Sequence, residues 1–312
     1  MFRITRYGVY SGMITSLLLS TVLLLPFSTP SASDTLATRV QARIARVPGA
    51  EVAVVYRTLD SNRAGDSLDI AGDVQFHAAS TMKLPVLIEL FRQADAGRLS
   101  LDEPVLLENR FRSIVDGSPY ALSAGDDSDS LVYSMIGTRV SIRELAERMI
   151  VRSSNLATNA LIELVGAPRA DSTARSLGAH GTRVLRGVED QKAYDAGLNN
   201  LTTAADLAAL LTAIERGTAA SPQSCAAMKA ILFRQQFNDE IPAGLPRGTP
   251  VAHKTGSISG TLHDAAIVYP PGRSPYVLVV LTRGIPDQGV ARQLIEDLSR
   301  LVWTHAAASA AP

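Results

Sequence analysis

Apolar residues recur at two different spacings in the first part of the chain. Leu36, Val40 and Ile44 lie four positions apart, which is typical of one face of a helix, and Pro48 is expected to end this helix. The next run, "EVAVVYRTL", is almost continuously apolar and predicts a strand. The polar turn "DSNRAGDS" then leads to a second strand near "LDIAG". A helix followed by strands is therefore predicted here.

The middle of the chain has a different character. From Ser80 to about Leu232 the apolar spacing is helical almost throughout. Ser141 and Glu144 form a capping box ahead of one helix, and a similar pair precedes "LAALLTAI". The longest polar connection, "DGSPYALSAGDDSDS", is expected to be a solvated loop.

Strand patterns return near the C-terminus. "LHDAAIVY" and "YVLVVLTRG" are joined by the turn "PPGRSP", and "GVARQLIEDLSRLVW" closes the chain as an amphipathic helix. Strands at both ends of a chain most economically join one sheet. We therefore predict a two-lobe α/β (α+β) fold. A sheet lobe (about 34–79 and 233–312) carries the terminal helices, and an all-helical lobe (about 80–232) is inserted, with a cleft between them.

The first 33 residues resemble a targeting segment. Arg3 and Arg6 precede the apolar run "GMITSLLLSTVLLLPF", and "STPSAS" supplies small residues before a cleavage position near Ser33. This layout predicts a Sec-type signal peptide and a secreted or periplasmic protein with no membrane attachment after cleavage. An uncleaved N-terminal anchor is the alternative.

Composition narrows the possible partners. Removing residues 1–33 leaves 28 basic and 30 acidic side chains, a balance that argues against nucleic acid. The single cysteine, Cys225, has no partner in the chain and is expected to be a small buried hydrophobe. No cofactor or metal is implied, because none of the histidines shows metal-ligand spacing: His77, His180, His253, His263 and His305. We expect a monomer.

The pair Ser80 and Lys83 is the first candidate for chemistry. Positions i and i+3 share a helix face, so the lysine amine can reach the serine hydroxyl. A neutral amine can take the proton of a serine nucleophile, and burial or a nearby cation makes the neutral form available. Lysine is scarce in this chain, with four lysines against 26 arginines, and unlike arginine it can shed its proton.

Two further short motifs follow. Ser153 and Asn155, in "SSN", interrupt two helical runs, where they could simply end one helix and cap the next, or could relay a proton and bind a substrate amide. "HKTGS", residues 253–257, precedes a strand and offers a cation, a hydroxyl and a small-residue backbone that a substrate can approach.

Together, S-x-x-K, S-x-N and K-T-G in this order resemble the active site of class A β-lactamases and penicillin-binding proteins. The resemblance is closest to the class A β-lactamase-related branch. It implies a β-lactamase-like catalytic domain over residues 34–312, with Ser80 as the acylated nucleophile and Lys83 as its general base or relay. Ser153 would pass a proton to the leaving nitrogen, and Asn155 would hold the substrate acylamide.

The same resemblance assigns the binding groups around the nucleophile. Lys254 and Thr255 would bind the substrate carboxylate, and the backbone N–H groups of Ser80 and Ser257 would form the oxyanion hole. His263 lies nine residues beyond Lys254, where some family members place an arginine for that carboxylate, so it is a further candidate ligand.

The sequence departs from the class A pattern in two places. Ser154 replaces the usual aspartate of the middle motif. In "RGVEDQKAYDAGLNNLTT" the spacing from Arg186 puts Val188 at the position of the deacylating glutamate, with Glu189 one residue beyond and Lys192 at the position of its asparagine partner. Glu189 is therefore a candidate deacylation base only if the loop adjusts by one residue; otherwise it belongs to a solvated acidic turn.

Three functions remain open at this point. The first is a class A β-lactamase that hydrolyses β-lactams through acyl-Ser80. The second is a penicillin-binding D-alanyl-D-alanine carboxypeptidase acting on a peptidoglycan-like peptide, or another serine acyl hydrolase that deacylates β-lactams poorly. The third is a binding or sensor module that is acylated once and remains so.

Overall fold

The computed structural model describes residues 1–2, 8, 35–63 and 65–308 of the 312-residue chain. The chain divides into two units, Met1–Asp34 and Thr35–Pro312, and the fold described below is that of the second. Apart from positions 1, 2 and 8, the predicted signal segment lies outside the described residues. Within the described ranges, no helix combines the length and the apolar character needed to cross a membrane.

A five-stranded antiparallel sheet forms the centre of the second unit. Its strands run in the order β2–β1–β11–β10–β9, so the chain ends contribute neighbouring strands. Their bounds are β1 Glu51–Thr58, β2 Ser67–Ile70, β9 Val251–Ile258, β10 Thr261–Val268 and β11 Tyr276–Arg283. The central strands are apolar on both faces because both faces are covered.

The two terminal helices cover one face of this sheet. α1 Leu36–Ile44 and α9 Gln288–Ala308 pack on it through Val40, Leu294 and Leu298, all fully buried. Side chains alternate along β1, so Val54 faces this layer while Val55 faces the opposite one.

A group of helices packs against the other face and forms the larger core. They are α2 Lys83–Asp95, α3 Ile142–Val151, α4 Asn155–Val165, α5 Ala167–Ser176, α7 Ala204–Glu215 and α8 Pro222–Leu232. A further short helix, α6 Gln191–Asp195, lies between α5 and α7 in the chain. Cys225 on α8 is buried and unbonded to another cysteine, as predicted. The predicted fold class, an antiparallel sheet flanked by the terminal helices and combined with a helical part, is confirmed.

The segment between α2 and α3 contains no α-helix and only one 3₁₀ helix, Ser130–Met135, contrary to the prediction for residues 80–232. It contains short strand pairs: β4 Pro104–Leu106 with β7 Arg139–Ser141, and β5 Phe111–Arg112 with β6 Pro119–Tyr120. A third pair joins β3 Phe76–His77 to β8 Leu201–Thr202. Prolines and left-handed glycines such as Gly117 and Gly137 interrupt any helical hydrogen-bond pattern in this segment.

The polar connection over residues 116–130, called here the 116–130 loop, is only partly exposed to solvent. Many of its side chains are exposed, but Asp127 and Asp129 are 7% and 1% exposed. Both carboxylates turn inward because they have partners there: Asp129 binds Arg148 on α3, and Asp127 binds the start of α4. The expectation of a wholly solvated loop was wrong for these two residues.

Candidate active site

Ser80 lies in a single 3₁₀ turn, Ala79–Met82, that continues directly into α2. Ala79 has φ 45°, and its N–H donates to Nδ1 of His77 (3.0 Å). A left-handed backbone at a non-glycine residue costs free energy and is found mainly where the surrounding structure fixes it. The turn therefore holds Ser80 at the start of α2, where its partly exposed side chain opens into a cavity.

Lys83 is the first residue of α2 and is fully buried. Its Nζ donates to the Ser153 carbonyl (2.6 Å), the Ser153 Oγ (3.1 Å) and the Asn155 Oδ1 (2.9 Å). Burial, followed by repulsion from Lys254, holds the pKa of Lys83 well below its usual range, although Asp127 and Glu189 oppose this shift. This shift favours the neutral amine that a general base must supply.

Ser153 connects the two buried lysines. It stands between α3 and α4 with φ 56°, and its Oγ accepts from Lys83 (3.1 Å) and from Lys254 (3.0 Å). A hydroxyl between two amines can pass a proton from one to a neighbouring acceptor. The structure thus brings the S-x-x-K, S-x-N and K-T-G motifs together at one hydroxyl group.

Lys254 lies on β9, the edge strand next to Ser80. Burial lowers its pKa to about 7, while Asp264 and Glu240 act in the opposite direction. A Cβ at Gly256 would come within 3.1 Å of the backbone nitrogens of both Ser80 and Thr81. Glycine therefore lets β9 pass close to the nucleophile without crowding its backbone, and the exposed Ser257 lines the same cavity as Ser80.

Glu189 reaches the site despite its displaced position in the sequence. Its Oε1 accepts from Nδ2 of Asn155 (2.7 Å), whose Oδ1 binds Lys83. Glu189 has φ 61°, a left-handed backbone conformation that is uncommon for a residue other than glycine. Partial burial raises the pKa of Glu189, and the hydrogen bond from Asn155 opposes the rise.

Asn159 on α4 fixes the residue before Glu189. Its side chain accepts from the Val188 N–H (2.7 Å) and donates to the Val188 carbonyl (3.0 Å). A Cβ at Gly187 would lie 2.5 Å from the same side chain, so the loop passes directly over Asn159. This clamp sets the direction in which Glu189 leaves the loop.

Lys192 and Asp190 do not serve Glu189. The Lys192 amine binds Asp116 and Ser118 at the surface. Asp190 is buried, caps α6 through the Ala193 N–H (3.1 Å), and is structural. Asn155 therefore takes the place of the asparagine partner that the sequence pattern lacked.

The site residues line two cavities that share Ser80 and Ser257. One, of about 310 Å³, contains Asn155, Glu189 and Tyr194, and the other, of about 210 Å³, contains Ser153, Thr255 and Arg292. Ser80 thus lies between the cavity of Glu189 and the cavity of Thr255 and Arg292.

His263 does not occupy the position predicted for it. Its side chain is fully buried; Nε2 lies 2.9 Å from the His77 carbonyl, and Nδ1 accepts from the Thr282 N–H. Burial lowers the pKa of His263 to about 4, so the ring is neutral at physiological pH. A neutral, enclosed ring cannot pair with a carboxylate, and the assignment of His263 as a carboxylate ligand was wrong.

Sequence reasoning missed Arg292 and Asp127. Arg292, near the start of α9, lines the cavity of Thr255 and Ser257, with Glu240 Oε1 at 3.8 Å from its Nε. It looked like one of many arginines on the polar face of a helix. Asp127 was hidden in a loop whose composition indicated solvent exposure. Over the described ranges, no cluster of three or more His, Cys, Asp or Glu side chains could hold a metal ion.

We expect Asn159→Ala to slow release of an acyl group from Ser80 roughly 10- to 100-fold, because Val188 loses both of its hydrogen bonds to Asn159 and Glu189 loses its orientation. Single-turnover kinetics would measure this. Asn109 offers a matched control, since it clamps Leu122 in the same two-bond manner outside both cavities. Equal slowing in Asn109→Ala would show a general loss of loop stability instead.

The sequence model of the family described as "Beta-lactamase enzyme family" matches residues 35–306. Among curated relatives, the chain is 33% identical to a β-lactamase of Bacillus amyloliquefaciens over 50% of this chain and 54% of that protein. It is 34% identical to β-lactamase AST-1 of Nocardia asteroides over 54% of this chain and 56% of that protein. The chain thus spans about half the length of these two. A β-lactamase of Streptomyces albus G is 27% identical over 87% of this chain and 84% of its own length.

Solved structures are similar over most of the chain. PBP-A is 31% identical with a TM-score of 0.73, covering 86% of this chain and 95% of its own. An ancestral class A β-lactamase is 26% identical with a TM-score of 0.74, and the match covers 87% of this chain and 100% of that structure. These likenesses extend over both the sheet and the helical part described above.

Proposed function

The chain belongs to the β-lactamase enzyme family, and from this premise we propose that it is a serine hydrolase of the class A β-lactamase type that opens β-lactam rings through an acyl-enzyme on Ser80. The observation that best supports this proposal is the Lys83 amine, which is fully buried one turn beyond Ser80 and binds Ser153 and Asn155. A mutant of PBP-A, the 31% identical relative, has been solved as an acyl-enzyme complex with penicillin G.

Acylation follows from this arrangement. Neutral Lys83 takes the proton of the Ser80 hydroxyl, and Oγ attacks the β-lactam carbonyl carbon. In the free protein the Lys83 amine donates to Ser153 and Asn155. A contact between a general base and its nucleophile, here Lys83 and Ser80, often tightens only when substrate is bound. As the C–N bond breaks, the nitrogen takes the Ser153 proton, which the Lys83 ammonium replaces. The N–H groups of Ser80 and Ser257 stabilise the developing oxyanion.

The cationic side of the cleft binds the substrate carboxylate. Thr255 and Arg292 supply a hydroxyl and a guanidinium to the smaller cavity, and the Lys254 amine binds the Oγ of Ser153, which lines the same cavity. A planar guanidinium can bind a carboxylate through two N–H groups. This side therefore orients an anionic substrate so that its carbonyl faces Ser80.

Release of the acyl group requires a base next to the ester. Glu189 lines the larger cavity with Ser80, and Asn155 holds its carboxylate (2.7 Å). The ionised carboxylate takes a proton from water, whose oxygen attacks the ester carbon; the Ser80 oxygen then leaves with a proton. This step distinguishes a hydrolase from a protein that remains acylated.

A second function has its own supporting observation. Ser154 in the middle motif matches the looser S-x-N of penicillin-binding proteins, and Lys192 replaces the asparagine of the release loop. On this basis, a D-alanyl-D-alanine carboxypeptidase-like or other serine acyl hydrolase with poor deacylation of β-lactams is the alternative.

Intact-mass measurement of residues 34–312 mixed with a penicillin, alongside loss of the drug, tests the proposal. Continued drug loss with a short-lived adduct on Ser80 is the result expected of a β-lactamase. A persistent adduct, with drug loss ending at one equivalent, would favour the alternative. No adduct and no drug loss would refute both functions for this substrate class.

We expect Arg292→Ala to raise KM for a penicillin roughly 5- to 20-fold with little change in kcat, because the lost contact is to a carboxylate that does not react. Steady-state kinetics would show it. The control is Arg300→Ala, eight positions along α9, whose partners are Glu296 and Asp297. An unchanged KM in Arg292→Ala would remove Arg292 from the carboxylate site.

We also propose that residues 1–33 export the protein, that cleavage occurs near Ser33, and that the product is a secreted or periplasmic monomer with no membrane attachment. The charged, apolar and small-residue regions in that order support export. Cell fractionation with N-terminal sequencing of the product tests this, and an intact N-terminus in the membrane fraction would show an anchor instead.

A further inference from the structure

The middle motif has a serine at position 154 where the resemblance leads one to expect aspartate, yet a carboxylate is present there in space. Asp127, which is 27 residues earlier in the chain, points its Oδ2 at the Ser154 Oγ (3.3 Å). The same oxygen accepts from the backbone N–H groups of Asn155 (2.9 Å) and Leu156 (2.9 Å). A different loop thus supplies the negative charge that the motif lacks.

These contacts fix the first residues of α4. Ser154 caps the helix through the Ala157 N–H (3.2 Å), and Asp127 satisfies two more of the N–H groups that a helix leaves unpaired at its start. Charge-assisted hydrogen bonds are about twice as strong as neutral ones, and the helix dipole favours an anion at this end. The other oxygen, Oδ1, accepts from Asp129 N–H, so the carboxylate is itself held in place.

Asn155 connects Asp127 to the two proposed catalytic bases. Its backbone N–H is bound by Asp127, while its side chain binds Lys83 through Oδ1 (2.9 Å) and Glu189 through Nδ2 (2.7 Å). A shift at the start of α4 therefore moves the partner of the acylating base and the partner of the releasing base together. Near-attack geometry tolerates little displacement.

We propose that Asp127 is a positioning residue that holds Asn155, and through it Lys83 and Glu189, in the role that the middle motif's missing aspartate would have. The inference rests on the proposed acylation of Ser80. It assigns the 116–130 loop a part in the site, and it predicts that the carboxylate can be moved from position 127 to position 154 without loss of its effect.

The test is a four-part cycle of acylation rates with a penicillin: wild type, Asp127→Ala, Ser154→Asp, and the double variant. Asp127→Ala is expected to slow acylation roughly 10- to 100-fold because α4 loses a charged acceptor. Ser154→Asp alone is also expected to be slower, since two carboxylates would then compete for the same N–H groups. The double variant should recover most of the rate, because an aspartate at the N-cap can accept from the same turn.

The pH profile gives a readout that a purely structural role would not move. Lys83 faces Lys254 on one side and the negative charges of Asp127 and Glu189 on the other. In the isosteric Asp127→Asn one of those charges is lost, which disfavours the Lys83 ammonium. The acidic limb of the acylation profile should therefore move to lower pH. Asp126→Asn, the same change at the exposed neighbour, is the control.

Several outcomes would overturn the inference. These are a folded double variant no faster than Asp127→Ala, an Asp127→Ala rate within about twofold of wild type, or an unmoved pH limb in Asp127→Asn. If Asp127→Ala fails to fold, a folded and acylating double variant is the expected result, and an unfolded double variant overturns the inference. Absence of acylation in wild type would overturn this inference and the proposed function together, whereas the other outcomes concern Asp127 alone.

Discussion

Ser80→Ala is expected to remove covalent labelling by a penicillin completely and to lower turnover by roughly four to six orders of magnitude. The other two motif serines are placed differently: Ser153 accepts hydrogen bonds from two buried lysines, and Ser257 lies on the exposed end of β9. The residual rate would come only from binding and the oxyanion donors. Intact-mass analysis and drug-loss kinetics would measure the two effects separately.

The fold should survive this substitution. Ser80 is partly exposed, and its side chain lies in the cavity outside the apolar core, so the free energy of unfolding should change by no more than about 0.5 kcal/mol. Ser134→Ala, at an exposed serine outside both cavities, is the control for a serine-to-alanine change. Labelling of folded Ser80→Ala at the wild-type rate would disprove the assignment of the nucleophile.

The sheet and the three motifs could be predicted because their signals are local. The apolar run of β1 is buried on both faces, and the motif residues must have particular functional groups whatever the rest of the chain does. Lys83 and Lys254 were the lysines to inspect in a chain with four, and both are fully buried. Short-range spacing was thus sufficient for the acylation machinery.

The remaining site residues depend on tertiary contacts that spacing does not reveal. Asp127 reaches α4 from a loop 28 residues away, and Arg292 reaches the cavity from the last helix. Because His263 lies nine residues after Lys254, it was expected to bind the substrate carboxylate. Tertiary packing instead buries its ring against the His77 carbonyl. The positions of these three side chains depend on how distant parts of the chain pack together, not on their neighbours in the sequence.

The backbone of the release loop is a further case. Among the described residues, four non-glycine residues have positive φ, and three of them, Ala79, Ser153 and Glu189, belong to the site. Nothing in the side chain of glutamate indicates a left-handed conformation, so counting from Arg186 placed it one residue out of position. The Asn159 clamp on Val188 is the tertiary contact that sets this geometry.

Glu189→Gln is the second change with a large expected effect. It should slow release of the acyl group roughly 100- to 10,000-fold while slowing acylation much less, because the amide keeps the shape of the side chain but cannot take a proton from water. The adduct on Ser80 would then accumulate to one equivalent. Time-resolved intact mass gives both rates from one experiment, and Glu147→Gln on the surface of α3 is the matched control.

The pH dependence of release adds an independent check, since Glu189 acts only when ionised. Partial burial raises the pKa of Glu189 above the ordinary 4.5, so release in wild type should fall as pH drops through that raised value. This acidic limb should be absent from the slow release of Glu189→Gln. Equal slowing of both steps would mean that Glu189 also serves acylation through Asn155 and Lys83. Unchanged release would show that the base lies elsewhere.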